Sequence, residues 1–397
     1  MKNNNSPAVP VTRRETLTVV SAVILTNAIT LVAFFMLGPL VALRMSEAGF
    51  SQSMMGVQAT FWSVGIVACG RFYPMILSRL GPLPSIFVSL STCAMLDMFY
   101  IFVPASNWWL LISFAAGAAY GLFWVVTESW LSAVMPENYR ARILALYAMG
   151  VGIGASGGPL VLSLVGKDGP TPFLVAIGLL LVGLLPYLLL VKAQPRVALP
   201  PRTTMRNLIR GAGLVIIIGV VAGFVDTSLP AMFSVFVLKS GHEWTTLVTA
   251  LTALGLGRLI LQLPLGYAAD HFERRLVLCL AAAFCALVAL GLPWIIGSGW
   301  QALVLFLWGG SIDAFYIIGL SIIGQRYQGV RLTEVNVLLV MTHSIGSFLG
   351  SPLIGVNMDL FGANGYSWTV AAVVTVAVVA TMISLISQRR PPTTNPA

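Results

Sequence analysis

Charge is what this chain of 397 residues has least of: Asp, Glu, Lys and Arg together make up 9%, where a soluble globular domain carries roughly 25%. A chain so poor in charge cannot cover a water-exposed surface, and this excludes a soluble domain of any size. Histidine is scarce too, at 3 residues, and cysteine stands at 4. They never cluster at metal-ligand spacing, no HExxH occurs, and no GxxxxGK[ST] run offers a cradle for phosphate. Metal chemistry and nucleotide-driven pumping therefore have no support, and Gly255-Leu256-Gly257 stands alone without opening a dinucleotide-binding unit. An enzyme is not expected, nor a cofactor, nor a bound metal. The cysteines Cys69, Cys93, Cys279 and Cys285 all fall in apolar runs, where they read as small interior residues rather than disulfides.

What is abundant is apolar: 58% of residues, with a mean hydropathy of +0.91. A membrane-spanning helix needs about 20 mostly apolar residues to cross roughly 30 Å of hydrocarbon. Such stretches recur at approximately 16 to 43, 52 to 77, 83 to 104, 107 to 135, 140 to 165 and 171 to 193. Six more run at approximately 211 to 238, 244 to 269, 275 to 297, 300 to 327, 331 to 360 and 364 to 387. The basic N-terminus precedes an apolar run too long for a signal-peptide core, so the first span is read as a retained helix.

The formal charge of +9 does not point to nucleic acid, because the basic residues are distributed by loop parity. With the N-terminus inside, 17 of the 22 Lys and Arg fall in inner segments. Arg44, Lys167 and Lys239 fall outside, and Arg71 and Arg258 lie within spans. That asymmetry places both termini in the cytoplasm.

The one long polar stretch, Gln194 to Arg210, carries three prolines and four arginines and sits at mid-chain. A shift of 192 residues lays Met149, Ile153, Gly154 and Gly158 on Met341, Ile345, Gly346 and Gly350. The same shift lays Phe123-Trp124-Val125-Val126 on Phe315-Tyr316-Ile317-Ile318, and Gly49 on Gly241. One offset serving separate regions argues for two repeats of six helices. The expected organisation is a bundle at 1–193, a cytoplasmic linker at 194–210 and a second bundle at 211–397.

The stretch Gly266-Tyr267-Ala268-Ala269-Asp270-His271-Phe272-Glu273-Arg274-Arg275 resembles the loop signature of the major facilitator superfamily. Its first-half counterpart, Met75-Ile76-Leu77-Ser78-Arg79-Leu80-Gly81, keeps Arg79 and Gly81 but has Ser78 where the acid belongs. The run Gly150, Gly152, Gly154, Gly157, Gly158, Pro159 is similar to the motif of that family's antiporters, although such small residues also let helices approach closely in any membrane bundle. With Trp124-Val125-Val126-Thr127-Glu128-Ser129-Trp130, the pattern is similar to a largely uncharacterised bacterial branch of the superfamily. The resemblance implies an all-α membrane fold of twelve transmembrane helices in two pseudo-symmetric bundles, placed in a bacterial inner membrane. It implies an inner gate at Asp270, Arg274, Arg275 and Arg79, and a central cavity lined by spans one, four, seven and ten.

Ionisable groups inside spans are costly, at least ~2.5 kcal/mol on insertion scales, so each is a candidate for function or for a structural ion pair. Six stand out: Asp97, Glu128, Asp226, Asp313, Arg71 and Arg258. Counting ~1.5 Å per residue from the inner ends puts Arg71 and Glu128 at roughly 9 and 10 Å, and Arg258 and Asp313 at roughly 17 and 18 Å. Two charge pairs are therefore expected, Arg71 with Glu128 and Arg258 with Asp313. Asp97 has no arginine at its depth and reads as incidental. Asp226 also has none, and an acid left without a cation is the one expected to exchange a proton; Asp313 and Glu128 are the other proton-coupling candidates. Tyr120, Trp124 and Glu128 recur every four residues and share one helical face. Asn27, Tyr120, Trp124, Arg258, Gln262 and Tyr316 complete the expected substrate cavity. Pro230 follows Asp226 by one turn, where span seven is expected to bend. His343 reads as an interior hydrogen-bonding residue rather than a proton carrier.

The reading these features support is a proton-coupled permease, expected to act as a monomer, that moves a small organic solute, with export favoured by the glycine motif. The partners it implies are that solute, a proton and membrane lipid, with no nucleic acid. Two alternatives stand beside it: proton-linked uptake of an organic anion or nutrient anchored at Arg258, and a membrane sensor or enzyme that does not transport.

Overall fold

The computed structural model describes residues 13–134, 140–188, 213–326 and 329–389, and no strand occurs among them. In chain order the helices of the first part are α1 (Arg13–Glu47), α2 (Gln52–Gly70), α3 (Tyr73–Leu80), α4 (Pro82–Phe102), α5 (Trp108–Val134), α6 (Arg140–Val165), α7 (Thr171–Val182) and α8 (Leu185–Leu188). The second part holds α9 (Gly213–Ser228), α10 (Ser234–Lys239), α11 (Trp244–His271), α12 (Arg274–Ile295), α13 (Gln301–Arg326), α14 (Gly329–Phe361) and α15 (Asn364–Arg389). Eleven segments among the described residues are long and apolar enough to cross a membrane, and Met149–Val165 within α6 adds a shorter apolar one. The backbone satisfies its own hydrogen bonds within helices, as hydrocarbon demands.

Two spans that the sequence reads as continuous are interrupted, and the seventh departs from regular α-helix at Pro230, where a bend is expected. The second breaks at Arg71 and Phe72, where Pro74 enters the first turn of α3; a proline lacks the N–H that a continuing helix would need. The sixth breaks at Gly183 and Leu184, ahead of Pro186. In the seventh, Leu229–Phe233 forms a π-helical turn around Pro230. Widening the helix there relieves the clash of the proline ring with the preceding turn.

The chain divides into two compact units, one of Met1–Leu37 with Phe61–Pro201 and the other of Gly38–Thr60 with Arg202–Ala397. The linker expected at 194–210 lies outside the described residues. Residues 38–60 group with the second unit for steric and electrostatic reasons. A Cβ on Gly56 would stand 2.2 Å from the Ser351 carbonyl oxygen, and one on Gly355 would stand 2.3 Å from that of Gln52, so the start of α2 and the end of α14 meet backbone to backbone. The Asp359 carboxylate then accepts hydrogen bonds from the Gln52 and Ser53 amides, each at 2.8 Å, capping the otherwise unsatisfied donors at the start of α2.

The glycine run of α6 is packing. Cβ atoms on Gly150, Gly154 and Gly158 would come within 2.7 Å of Asn27, 2.6 Å of Leu31 and 2.7 Å of Met36, all on α1. Their repeat counterparts do the same on α14, where Gly346 and Gly350 would meet the carbonyl oxygens of Val220 and Phe224 at 2.0 and 2.5 Å. A feature serving one purpose in both units carries no information about the direction of transport. Gly49 and Gly241, also paired by the repeat, both adopt φ of 83°, a left-handed turn that favours glycine.

Candidate functional site

The second unit contains a shared guanidinium. Arg258, near the middle of α11, places Nη2 2.7 Å from Asp226 Oδ1 on α9 and 2.8 Å from Asp313 Oδ1 on α13. Gln262, one turn along α11, donates to Asp313 Oδ2 at 3.3 Å. His343 of α14 sits with Nε2 3.8 Å from Asp226 Oδ2, and the Tyr316 ring meets the His343 imidazole edge-on at 5.8 Å. Two carboxylates face one arginine, so the cluster holds one more negative than positive charge unless a proton is bound. Access is graded: the Arg258 side chain is 6% exposed, that of Asp313 11% and that of Asp226 35%. Thr227 and Ser347, hydrogen-bonded at 2.7 Å, tie α9 to α14 next to the cluster.

Asp226 was the acid expected to stand without a cation, and the geometry corrects this. The depth count compared backbone positions, whereas an arginine side chain reaches over more than a helical turn and can span the offset between Arg258 and Asp226. The expected pair of Arg71 and Glu128 is not formed either. Arg71 occupies the break between α2 and α3, exposed, with its guanidinium 4.6 Å from the Phe72 ring centroid. The end of a broken helix has turned it away from the face that an unbroken span would have given it. Asp97 is buried and forms no ion pair among the described residues.

In the first unit, Tyr120, Trp124 and Glu128 follow one face of α5. Tyr120 stacks on Phe34 of α1 at 5.9 Å, lies 5.5 Å from Trp62 of α2 and meets Trp124 edge-on at 6.0 Å. Phe34 and Trp62 are themselves 4.6 Å apart. Tyr120 and Phe123 are buried, Phe34, Trp62 and Trp124 are half-buried, and Glu128 is exposed within reach of the Trp124 indole. Asn27, buried on α1, donates to the Tyr147 carbonyl at 3.2 Å. The sequence singles out Asn27, Tyr120, Trp124 and Glu128 but not Phe34 and Trp62, whose rings the structure brings against Tyr120. The repeat held the signal for Phe34, since the 192-residue offset lays it on Asp226.

At the gate signature, Asp270 is exposed and its carboxylate stands 3.8 Å from Arg274. Arg274 also donates to the carbonyls of Ser321 at 2.7 Å and Ala269 at 3.3 Å. Arg275 is buried and donates to the Ser384 carbonyl at 3.1 Å. Arg79, at the end of α3, is exposed.

Apolar helices of membrane length around buried ionisable groups define a multi-pass α-helical membrane protein. The chain belongs to the Major Facilitator Superfamily, whose model matches residues 23–325 and 215–397. It is 27% identical over 339 residues to the uncharacterized MFS-type transporter YfkF of Bacillus subtilis, covering 82% of this chain and 85% of that one. It is 26% identical over 338 residues to the uncharacterized MFS-type transporter YcaD of Escherichia coli, covering 84% and 87%. Among solved structures, a bacterial homologue of the human lysosomal transporter Spinster matches with a TM-score of 0.71 at 15% identity, over 96% of this chain and all of that one. A bacterial homologue of the human drug peptide transporters PepT1 and PepT2 matches with a TM-score of 0.70 at 14% identity, over 94% and 98%. The protein is thus a secondary transporter and not an enzyme.

Proposed function

We propose that the protein is a proton-coupled permease for a small organic solute, working by alternating access, and that the Asp226–Arg258–Asp313 cluster is where the proton acts. The observation that carries this is the sharing of one guanidinium nitrogen by two carboxylates in the hydrocarbon-depth part of the second unit. A net charge is expensive at that depth, and a single proton removes it. Asp226, the more exposed acid, takes the proton, with His343 opposite its second oxygen as the relay. Protonation loosens the Asp226 contact and leaves Arg258 held by Asp313 alone, so the connection between α9 and α11 depends on proton occupancy.

Uptake of an organic anion anchored on Arg258 is the less favoured reading, because the Arg258 Nη2 is already committed to two carboxylates. The gate residues Asp270, Arg274, Arg275 and Arg79 fit an inner-side role in either reading.

Reconstitution tests the proposal. Proteoliposomes loaded with a pH-sensitive dye should report proton movement when challenged with solutes that raise the protein's melting temperature, since a ligand binding only the folded state stabilises it. If such solutes cross with no proton movement, and accumulate equally with and without a pH gradient, the coupling proposal fails.

The orientation, with both termini in the cytoplasm, rests on the 17 to 3 excess of inner Lys and Arg. In intact cells an impermeant thiol reagent should label Asp168→Cys and spare Arg202→Cys. The reverse pattern would invert the topology.

A further inference from the structure

The two repeats have diverged at matching positions: where the second carries Asp226, the first carries Phe34. The second unit concentrates charge, and the first concentrates rings beside a single carboxylate.

We propose that this wall of the first unit binds an organic cation, an amine or quaternary ammonium carrying an apolar body about the size of one or two rings. Four aromatic residues from three helices, Phe34, Trp62, Tyr120 and Trp124, touch in sequence with centroid separations from 4.6 to 6.0 Å. Rings that served only as core would be covered. Here Tyr120 and Phe123 are buried and form the backing, while Phe34, Trp62 and Trp124 keep part of their surface open.

Glu128 extends the same face by one turn, exposed and within reach of the Trp124 indole. No lysine or arginine whose side chain is described forms an ion pair with it. Ring faces carry negative potential and attract cations, most strongly at tryptophan, and the Glu128 carboxylate adds the countercharge. Both features repel an anion. The ring surfaces select for apolar bulk, and Glu128 fixes where the cationic end sits.

The inference rests on the chain moving a solute and names that solute's charge and shape; proton coupling is not needed for it. Purified full-length protein, titrated calorimetrically without any gradient, tests it. Benzyltrimethylammonium should bind saturably and at least tenfold more tightly than phenylacetate, which has similar size and opposite charge. Glu128→Gln should weaken the cation tenfold or more, Trp124→Ala should weaken it comparably, and Trp124→Phe should retain most of the affinity. The comparison of cation with anion is made on the wild type and stands whatever the folding of the variants.

Equal or tighter binding of phenylacetate would overturn the inference. So would an absence of saturable binding for both benzyltrimethylammonium and tetraphenylphosphonium, or a folded Glu128→Gln variant with unchanged affinity. A protein that binds the cation but never concentrates it refutes the coupling proposal alone. One that concentrates another solute and binds no cation refutes this inference alone.

Discussion

Neutralising Arg258 should be the most damaging single substitution in the second unit, costing about 3–5 kcal/mol of stability, the range for breaking a buried ion pair from one side. The reason is electrostatic. Arg258→Gln leaves Asp226 and Asp313, both held by the same nitrogen in the native protein, facing each other with no cation between them. Asp313→Asn has the opposite effect on the charge balance: Arg258 keeps Asp226, and the cluster becomes neutral. It should therefore cost under about 1 kcal/mol. Combining Arg258→Gln with Asp313→Asn removes one of the two repelling acids, and the double variant should melt above Arg258→Gln alone. Melting temperature and folded yield measure all three, with an interaction energy of about 1 kcal/mol or more expected between the sites. Strictly additive losses, or an Asp313→Asn variant as unstable as Arg258→Gln, would mean that the contacts do not govern stability.

The architecture was legible because its cause acts everywhere along the chain. Hydrocarbon requires long apolar helices, and the stretches ending near Phe102, Ile295 and Ile386 announce themselves without reference to any other part of the molecule. Breaks inside spans were harder to read, since Pro74 and Pro186 interrupt helices whose hydropathy continues across them. Partners were harder still. The pairing of Arg258 with Asp313 could be read from depth because the two count to nearly the same height from the inner ends of their spans, and their side chains meet at 2.8 Å. Asp226 could not be assigned to the same arginine by that route, because the contact is made by side-chain length. The Arg71 expectation failed for a related reason: depth along a helix says nothing about which way a residue turns once the helix has broken. Phe34 and Trp62 carry no charge and stand in apolar runs, so only their contacts with Tyr120 distinguish them from ordinary core.

Asp226→Asn should abolish gradient-driven transport while leaving solute exchange intact. The amide mimics the protonated acid in shape and charge, so the variant is fixed in the state that the proton would create. It can still bind solute and change conformation, but proton occupancy can no longer bias the direction. A gradient of one pH unit supplies about 1.4 kcal/mol per proton, enough for about tenfold accumulation when one proton is exchanged for one solute. Wild-type proteoliposomes should approach that ratio, and Asp226→Asn should fall to no accumulation, with counterflow of labelled solute still measurable. Asp226 rather than Asp313 is singled out by access, since its side chain is 35% exposed against 11%, and Asp313 is further held by Gln262. His343 supplies the internal comparison. It faces the Asp226 oxygen that Arg258 leaves free, so as a relay its loss in His343→Gln should slow accumulation without lowering the final ratio. If His343→Gln collapses the ratio and Asp226→Asn preserves it, the proton resides on the imidazole and the carboxylate only positions it. If both variants concentrate solute as the wild type does, the coupling site lies outside the Asp226–Arg258–Asp313 cluster.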